Sequence, residues 1–149
     1  MKKRTFSAVI LLIILVGSVF LGYQAFGIVM LIASLIGYHE LFQIKYEDKR
    51  QNIAMIQLLG YFSLILLVLN DIFFSLDNNI LVVLPILALT IPIVFYRDYD
   101  IYNINDAFFI IGCVFFLGFS FHNIVFMAKM DIYKCIFIFL IAFTTDTYA

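Results

Sequence analysis

From Phe6 to Tyr38 the chain carries no charged side chain, a run of 33 residues. A backbone crossing hydrocarbon has to satisfy its own N–H and C=O groups, so such a run folds as helix unless it closes a barrel. One helical span takes ~20 residues, so this run is too long for one and slightly short for two. Gly22-Tyr23-Gln24 offers a polar break and divides it into Phe6–Leu21 and Ala25–Tyr38. Apolar stretches closed by short polar ones recur at Ile53–Leu69, Ile80–Tyr96, Ala107 to about Phe121, and Ile132–Ala149. The expected fold is all-α: a polytopic membrane bundle of about six helices, with residues 1–149 forming a single integral membrane domain.

Composition excludes the soluble alternatives. The chain is 65% hydrophobic and 13% charged, with a mean hydropathy of +1.10, against ~45–50% and ~25% in a soluble domain. Met1-Lys-Lys-Arg4 ahead of an apolar run looks like a secretion signal, but no small-x-small cleavage pattern follows, so the run is read as retained. Cys113 and Cys135 fall in or beside apolar spans and read as buried small hydrophobes. His39 and His122 have no carboxylate or thiol at ligand spacing, which argues against a zinc site. His39–Asn52 and Arg97–Asp106 read as polar loops, Asn70 to Asn79 as a short one, and Asn105 or Asp106 as the cap of the fifth helix. Gly112 and Gly118 within that helix allow a close neighbour. Pro85 and Pro92, seven apart and nearly on one face, favour kinks in the fourth.

Lysine and arginine orient the spans. With six of them and the N-terminus inside, the cytoplasmic side holds Lys2, Lys3, Arg4, Lys45, Lys49, Arg50 and Arg97, and the outer side only Lys129 and Lys134. Seven against two satisfies the positive-inside rule, whereas fusing the first two spans gives five against four. The expected location is the cell membrane, multi-pass, with a cytoplasmic N-terminus. No nucleic-acid partner is expected.

The sixth span carries the chemical anomaly. Phe137-Ile-Phe-Leu-Ile-Ala-Phe is unbroken apolar helix, and Thr144-Thr145-Asp146-Thr147 then turns polar within one turn. A carboxylate at a bilayer centre costs ~2.5–3.5 kcal/mol, while a Leu or Ile returns ~0.3–0.6. Such a group is a functional candidate unless it merely ends the helix at the interface. Asp146 lies ~21 Å along its helix, past the midplane of a ~30 Å core on the side where nucleotides and Mg²⁺ are found.

These residues resemble bacterial phosphatidate cytidylyltransferase, the CDP-diacylglycerol synthase family. Phe139-Leu-Ile-Ala-Phe-Thr-Thr-Asp-Thr-Tyr-Ala149 is similar to its mid-chain motif, an apolar helix running into Thr-Asp-Thr/Ser-x-Ala. Arg4 before the first span, Glu40-Leu41 closing the second, Asp106-Ala107-Phe108 opening the fifth and Gly118-Phe119 within it follow the family's order. The family's Lys-rich loop, further metal-binding Asp residues and Lys-Asp, His-Gly-Gly and Asp-Arg-x-Asp elements have no counterpart here. The expectation is therefore the N-terminal part of a longer cytidylyltransferase domain, inactive by itself. The resemblance implies transfer of CMP from CTP to phosphatidic acid with release of pyrophosphate, and Mg²⁺ as cofactor. It makes Asp146 the catalytic and metal-binding residue, with Thr145, Thr147 and Glu40 at the substrate, and leaves room for a homodimer. The competing class is a non-catalytic membrane protein, such as a transporter segment or assembly partner. A transporter would carry more polar groups near the midplane, or broken helices in two matching positions.

Overall fold

A computed structural model of the chain describes residues 14–46, 54–95 and 102–148. The basic N-terminus, the start of the first span, and the positions of Lys49, Arg50 and Arg97 lie outside the described residues. The described residues form helices and no strand: α1 (residues 14–20), α2 (Tyr23–Tyr46), α3 (Ala54–Val68), α4 (Asn78–Phe95), α5 (Ile104–Met130) and α6 (Ile132–Tyr148). Of these, α2, α4 and α5 are long and apolar enough to cross a membrane, and α3 and the first part of α6 are shorter apolar helices.

The break between the first two spans falls where the sequence places it. Gly22 adopts φ +109°, a conformation that only glycine takes without steric penalty, and Tyr23 and Gln24 already belong to α2. The polar loop expected from His39 starts later, because His39 to Tyr46 is helix. Tyr38, Phe42 and Tyr46 are spaced four apart, and all three are buried, so packing carries the helix two turns through polar residues. Glu40 and Lys45 consequently sit on helix rather than loop.

At the other end α5 runs nine residues beyond Phe121, because Val125 and Ala128 continue the buried stripe of Val114 and Gly118. Its cap is Asn103 rather than Asn105 or Asp106. The Asn103 side chain accepts from the Asp106 backbone N–H (2.9 Å), and the Asp106 carboxylate accepts from that of Asn103 (3.2 Å). This reciprocal pair satisfies two of the donors that a helix start leaves open. Between α3 and α4, Asn70–Phe74 forms a π-helical turn. The buried Asn70 side chain bonds the backbone of Leu76 in both directions, at 2.8 and 3.2 Å.

Gly27 lies against Val125 and Lys45 meets Asp106, so α2 and α5 are antiparallel. Gly27 also faces Ile72, just beyond α3, while Gly60 of α3 faces Tyr38, so α3 too is antiparallel to α2. One core cluster fills the Lys45 end, around Tyr38, Phe42, Ile56, Leu64 and Ile110. A second fills the opposite end, where Phe26, Met30 and Val125 meet Cys135 of α6. On α4, Leu81, Pro85, Leu89 and Pro92 form the buried stripe, so both prolines pack inward within a continuous helix.

Lipid removes most of the hydrophobic drive between helices, which leaves close packing and small residues to hold them together. Gly118 fits this role, as an added Cβ would lie 2.6 Å from Leu67 Cδ1, whereas Gly112 faces open space. Gly60 lies tightest, beneath the ring of Tyr38, which the Tyr61 ring holds edge-on at 5.2 Å. Gly60→Ala is expected to destabilise by about 1–3 kcal/mol through overpacking. Gly112→Ala should be neutral, or stabilise by up to ~1 kcal/mol from helix propensity. Thermal unfolding of both variants in detergent checks the contrast, and equal melting temperatures would refute it.

Candidate functional site

The polar turn that ends α6 is helical through Tyr148. The hydroxyl of Thr144 donates to the carbonyls of Leu140 and Ile141, and that of Thr145 to those of Ile141 and Ala142, all at 2.8–3.0 Å. Both protons are thereby spent inside the helix, and the oxygens offer lone pairs outward. That arrangement suits a cation or an N–H donor better than a phosphate oxygen. The Asp146 backbone is held in the same turn. The side chains of Asp146 and Thr147 lie outside the described ones.

The first half of α6 is packed and the second is not. Cys135 is buried, and Phe139 meets Phe26 edge-on with ring centroids 6.2 Å apart. Leu140, Ile141, Ala142, Thr144 and Thr145 are all exposed. Asp131 links α5 to α6 as a one-residue corner, its carboxylate accepting from the N–H groups of Tyr133 and Lys134. Counted from that corner at ~1.5 Å per residue, Asp146 lies ~22 Å along α6.

Glu40 is exposed on α2, beside His39. Glu40 lies near the α2–α3 edge, since His39 next to it contacts Tyr61 of α3. That edge holds a hydrogen-bonded group that sequence spacing does not reveal. His39 Nδ1 lies 2.7 Å from Tyr61 Oη, the Gln57 amide donates to the same oxygen (3.0 Å), and Gln43 Nε2 contacts His39 Nε2.

Two charged groups mark opposite ends of the bundle. At one end Lys45 Nζ is 3.2 Å from the Asp106 carboxylate and 4.2 Å above the Phe109 ring centroid. Beside them the buried Tyr102 hydroxyl donates to the Leu89 carbonyl (2.8 Å). Burial first, and then the charge of Asp106, push the Tyr102 phenol above its ordinary range. At the other end His122 Nε2 lies 3.6 Å from the Asp71 carboxylate, a pairing hidden in sequence by fifty residues. The Lys129 ammonium donates to the Asp71 carbonyl (3.2 Å). Cys113 and Cys135 are free thiols, partly buried and buried.

A donor set of one carboxylate with neighbouring hydroxyl oxygens fits Mg²⁺, which binds through one or two carboxylates and completes its shell with water and substrate phosphate. No curated protein and no solved structure matches the chain. The model of the cytidylyltransferase family matches residues 2–149, essentially the whole chain. With that match added to an all-helical apolar bundle and a polar Thr-Thr-Asp-Thr turn in its last helix, the chain belongs to the cytidylyltransferase family.

Proposed function

We propose that the chain serves the transfer of CMP from CTP to phosphatidic acid at the cell membrane, yielding CDP-diacylglycerol and pyrophosphate. A phosphate oxygen of the lipid attacks the α-phosphorus of CTP, the α–β bridging P–O bond breaks, and pyrophosphate leaves with that electron pair. The observation that carries this reading is the family match together with a polar turn on an apolar helix, which a lipid acceptor can reach from the bilayer. Asp146 would hold Mg²⁺, with the outward lone pairs of Thr145 and the Thr147 hydroxyl lining the same polar turn. When bound, the ion neutralises phosphate charge so that two anions can meet. The second half of α6 positions these groups by presenting them on a helix that α1–α5 leave exposed. Glu40, on α2, would contact the substrate beside them. The cationic groups that hold a triphosphate would come from outside the described helices, because Lys45, Lys129 and Lys134 are each engaged with Asp106, Asp71 and Asp131.

The reading also sets the Lys45 end on the cytoplasmic side. Membrane vesicles carrying the active protein, supplied with phosphatidic acid and Mg²⁺, test both parts together. Label in the α-phosphate of CTP is expected to enter lipid, and label in the γ-phosphate is not. Inverted vesicles should react with added CTP and sealed right-side-out ones should not. Transfer of the γ-label would mean a phosphotransferase and overturn the proposed reaction. Labelling only in right-side-out vesicles would overturn the orientation.

A further inference from the structure

We propose that the end of the bundle opposite Lys45 does not emerge into water but lies in the interfacial layer of the bilayer, where head groups meet acyl chains. Three turns close this end: Leu21-Gly22 between α1 and α2, residues 69–77 between α3 and α4, and Asp131 between α5 and α6. Their flanks share one core cluster, in which Val19, Val68, Ala128 and Cys135 pack together with Ile72 against them. At the same turns Phe20, Leu21, Phe73, Phe74, Met130 and Tyr133 are 44–81% exposed. Turns that face water are dominated by Gly, Pro, Asn, Asp and Ser. Large apolar side chains gathered at all three turns fit a covering of lipid instead.

Helix length sets the depth. α3 has 15 residues and α4 has 18, which is ~22 and ~27 Å at ~1.5 Å per residue. In α2, Tyr23–Tyr38 gives ~24 Å of helix before the polar residues that begin at His39. Each falls short of a ~30 Å hydrocarbon core, and tilt shortens the reach further. With the His39 end of α2 held among head groups, the Gly22 turn stops short of the water beyond the opposite leaflet. α5 is longer because it follows α2 past His39, to where Asp106 pairs with Lys45.

The charges at this end fit the same layer. The Lys129 ammonium donates to the Asp71 carbonyl, the Asp71 carboxylate lies 3.6 Å from His122, and Lys134 lies 3.5 Å from Asp131. Charges partnered in this way need less water than free ones. Tyr133 and Lys134 nonetheless keep exposed polar tips, which reach the head groups while their apolar bodies stay in lipid. Tyrosine is enriched at that boundary for this reason. Ile80 and Val83 of α4 and Phe126 of α5 carry exposed apolar surface toward the turns, so the lipid along the helix flanks also covers their ends. Neither the reaction assigned to α6 nor the side of the membrane enters this placement.

The chain contains no tryptophan, so a single introduced indole reports its own surroundings. Phe73→Trp, Tyr133→Trp and, halfway along α4, Leu87→Trp each place one at an exposed position, outside the packed core. The variants are reconstituted in phosphatidylcholine liposomes whose acyl chains are brominated either near the head group or near the chain end. Iodide on both sides of the membrane is the aqueous quencher. For Phe73→Trp and Tyr133→Trp the shallow bromines are expected to quench about twofold more than the deep ones, and iodide about a third as well as it quenches a free tryptophan amide. Leu87→Trp should be quenched best by the deep bromines, and a shallow preference there too would remove the depth contrast and overturn the placement. Iodide quenching equal to that of the free amide, with no effect of brominated lipid, would put the turns in water. Silence toward both quenchers would put another protein over them, and deep bromines ahead at both turns would sink them in hydrocarbon. Each of these three results overturns the interfacial layer as the occupant.

Discussion

Asp146→Asn is expected to lower CMP transfer by on the order of a hundredfold or more, the loss seen when a preorganised electrostatic group is removed from a reacting centre. The substitution keeps size and hydrogen-bonding capacity, so the fold of α6 should survive. What disappears is the charge that would hold Mg²⁺ against two anionic substrates. The neighbouring Thr145→Val should have a smaller effect, since the Thr145 hydroxyl already spends its proton on the carbonyls of Ile141 and Ala142 and would contribute only lone pairs. The measurement is incorporation of α-labelled CTP into lipid at saturating Mg²⁺, with membrane levels of the variants matched. A helix that merely ends in a polar turn predicts near-normal turnover by Asp146→Asn, and better insertion because an intramembrane charge is gone. Turnover within threefold of wild type would remove Asp146 from the site.

The second large effect concerns stability at the Lys45 end. Lys45→Met keeps the aliphatic stem but takes the ammonium away from Asp106, whose side chain is only 10% exposed. Breaking a buried pair from one side leaves an uncompensated charge, at a cost of about 3–5 kcal/mol. The lower end is expected here, because Lys45 is 30% exposed and the Asn103 N–H still bonds the carboxylate at 3.2 Å. The ammonium's position above the Phe109 ring is lost as well, which adds a smaller term. In the double variant Lys45→Met/Asp106→Asn no charge is stranded, and at least half of the loss should return. Reversible unfolding in detergent of the wild type, both single variants and the double variant gives the coupling directly. Independent, additive effects would show that the pair does not hold α2 to α5.

How far the bundle could be read from its sequence differs between the helix middles and their ends. The starts and middles of α3, α4 and α6 follow from hydropathy, and the break at Gly22 follows from one glycine beside two polar residues. The ends of α2 and α5 do not. His39, Glu40, Gln43 and Lys45 look like loop when judged by polarity, yet Phe42 and Tyr46 among them are buried against other helices and hold the turns in place. His122 and Lys129 likewise look like the end of a span, but Asp71 receives them from across the bundle. Hydropathy registers whether a residue prefers lipid. It carries no record of whether a partner is waiting for a residue that does not.

The candidate site divides along the same line. The sequence by itself determined the all-helical class, the family resemblance, and the polar turn with Thr145, Asp146 and Thr147, since each rests on residues adjacent along the chain. Only the tertiary structure decided that the second half of α6 stands exposed, that Glu40 sits on helix rather than loop, and that His39 joins Gln57 and Tyr61. The distances between groups on different helices depend on how far each helix runs and which faces meet. Those are set by packing, through contacts such as Gly60 against Tyr38 and Gly118 against Leu67, where the lack of a single Cβ leaves room for a side chain of the neighbouring helix.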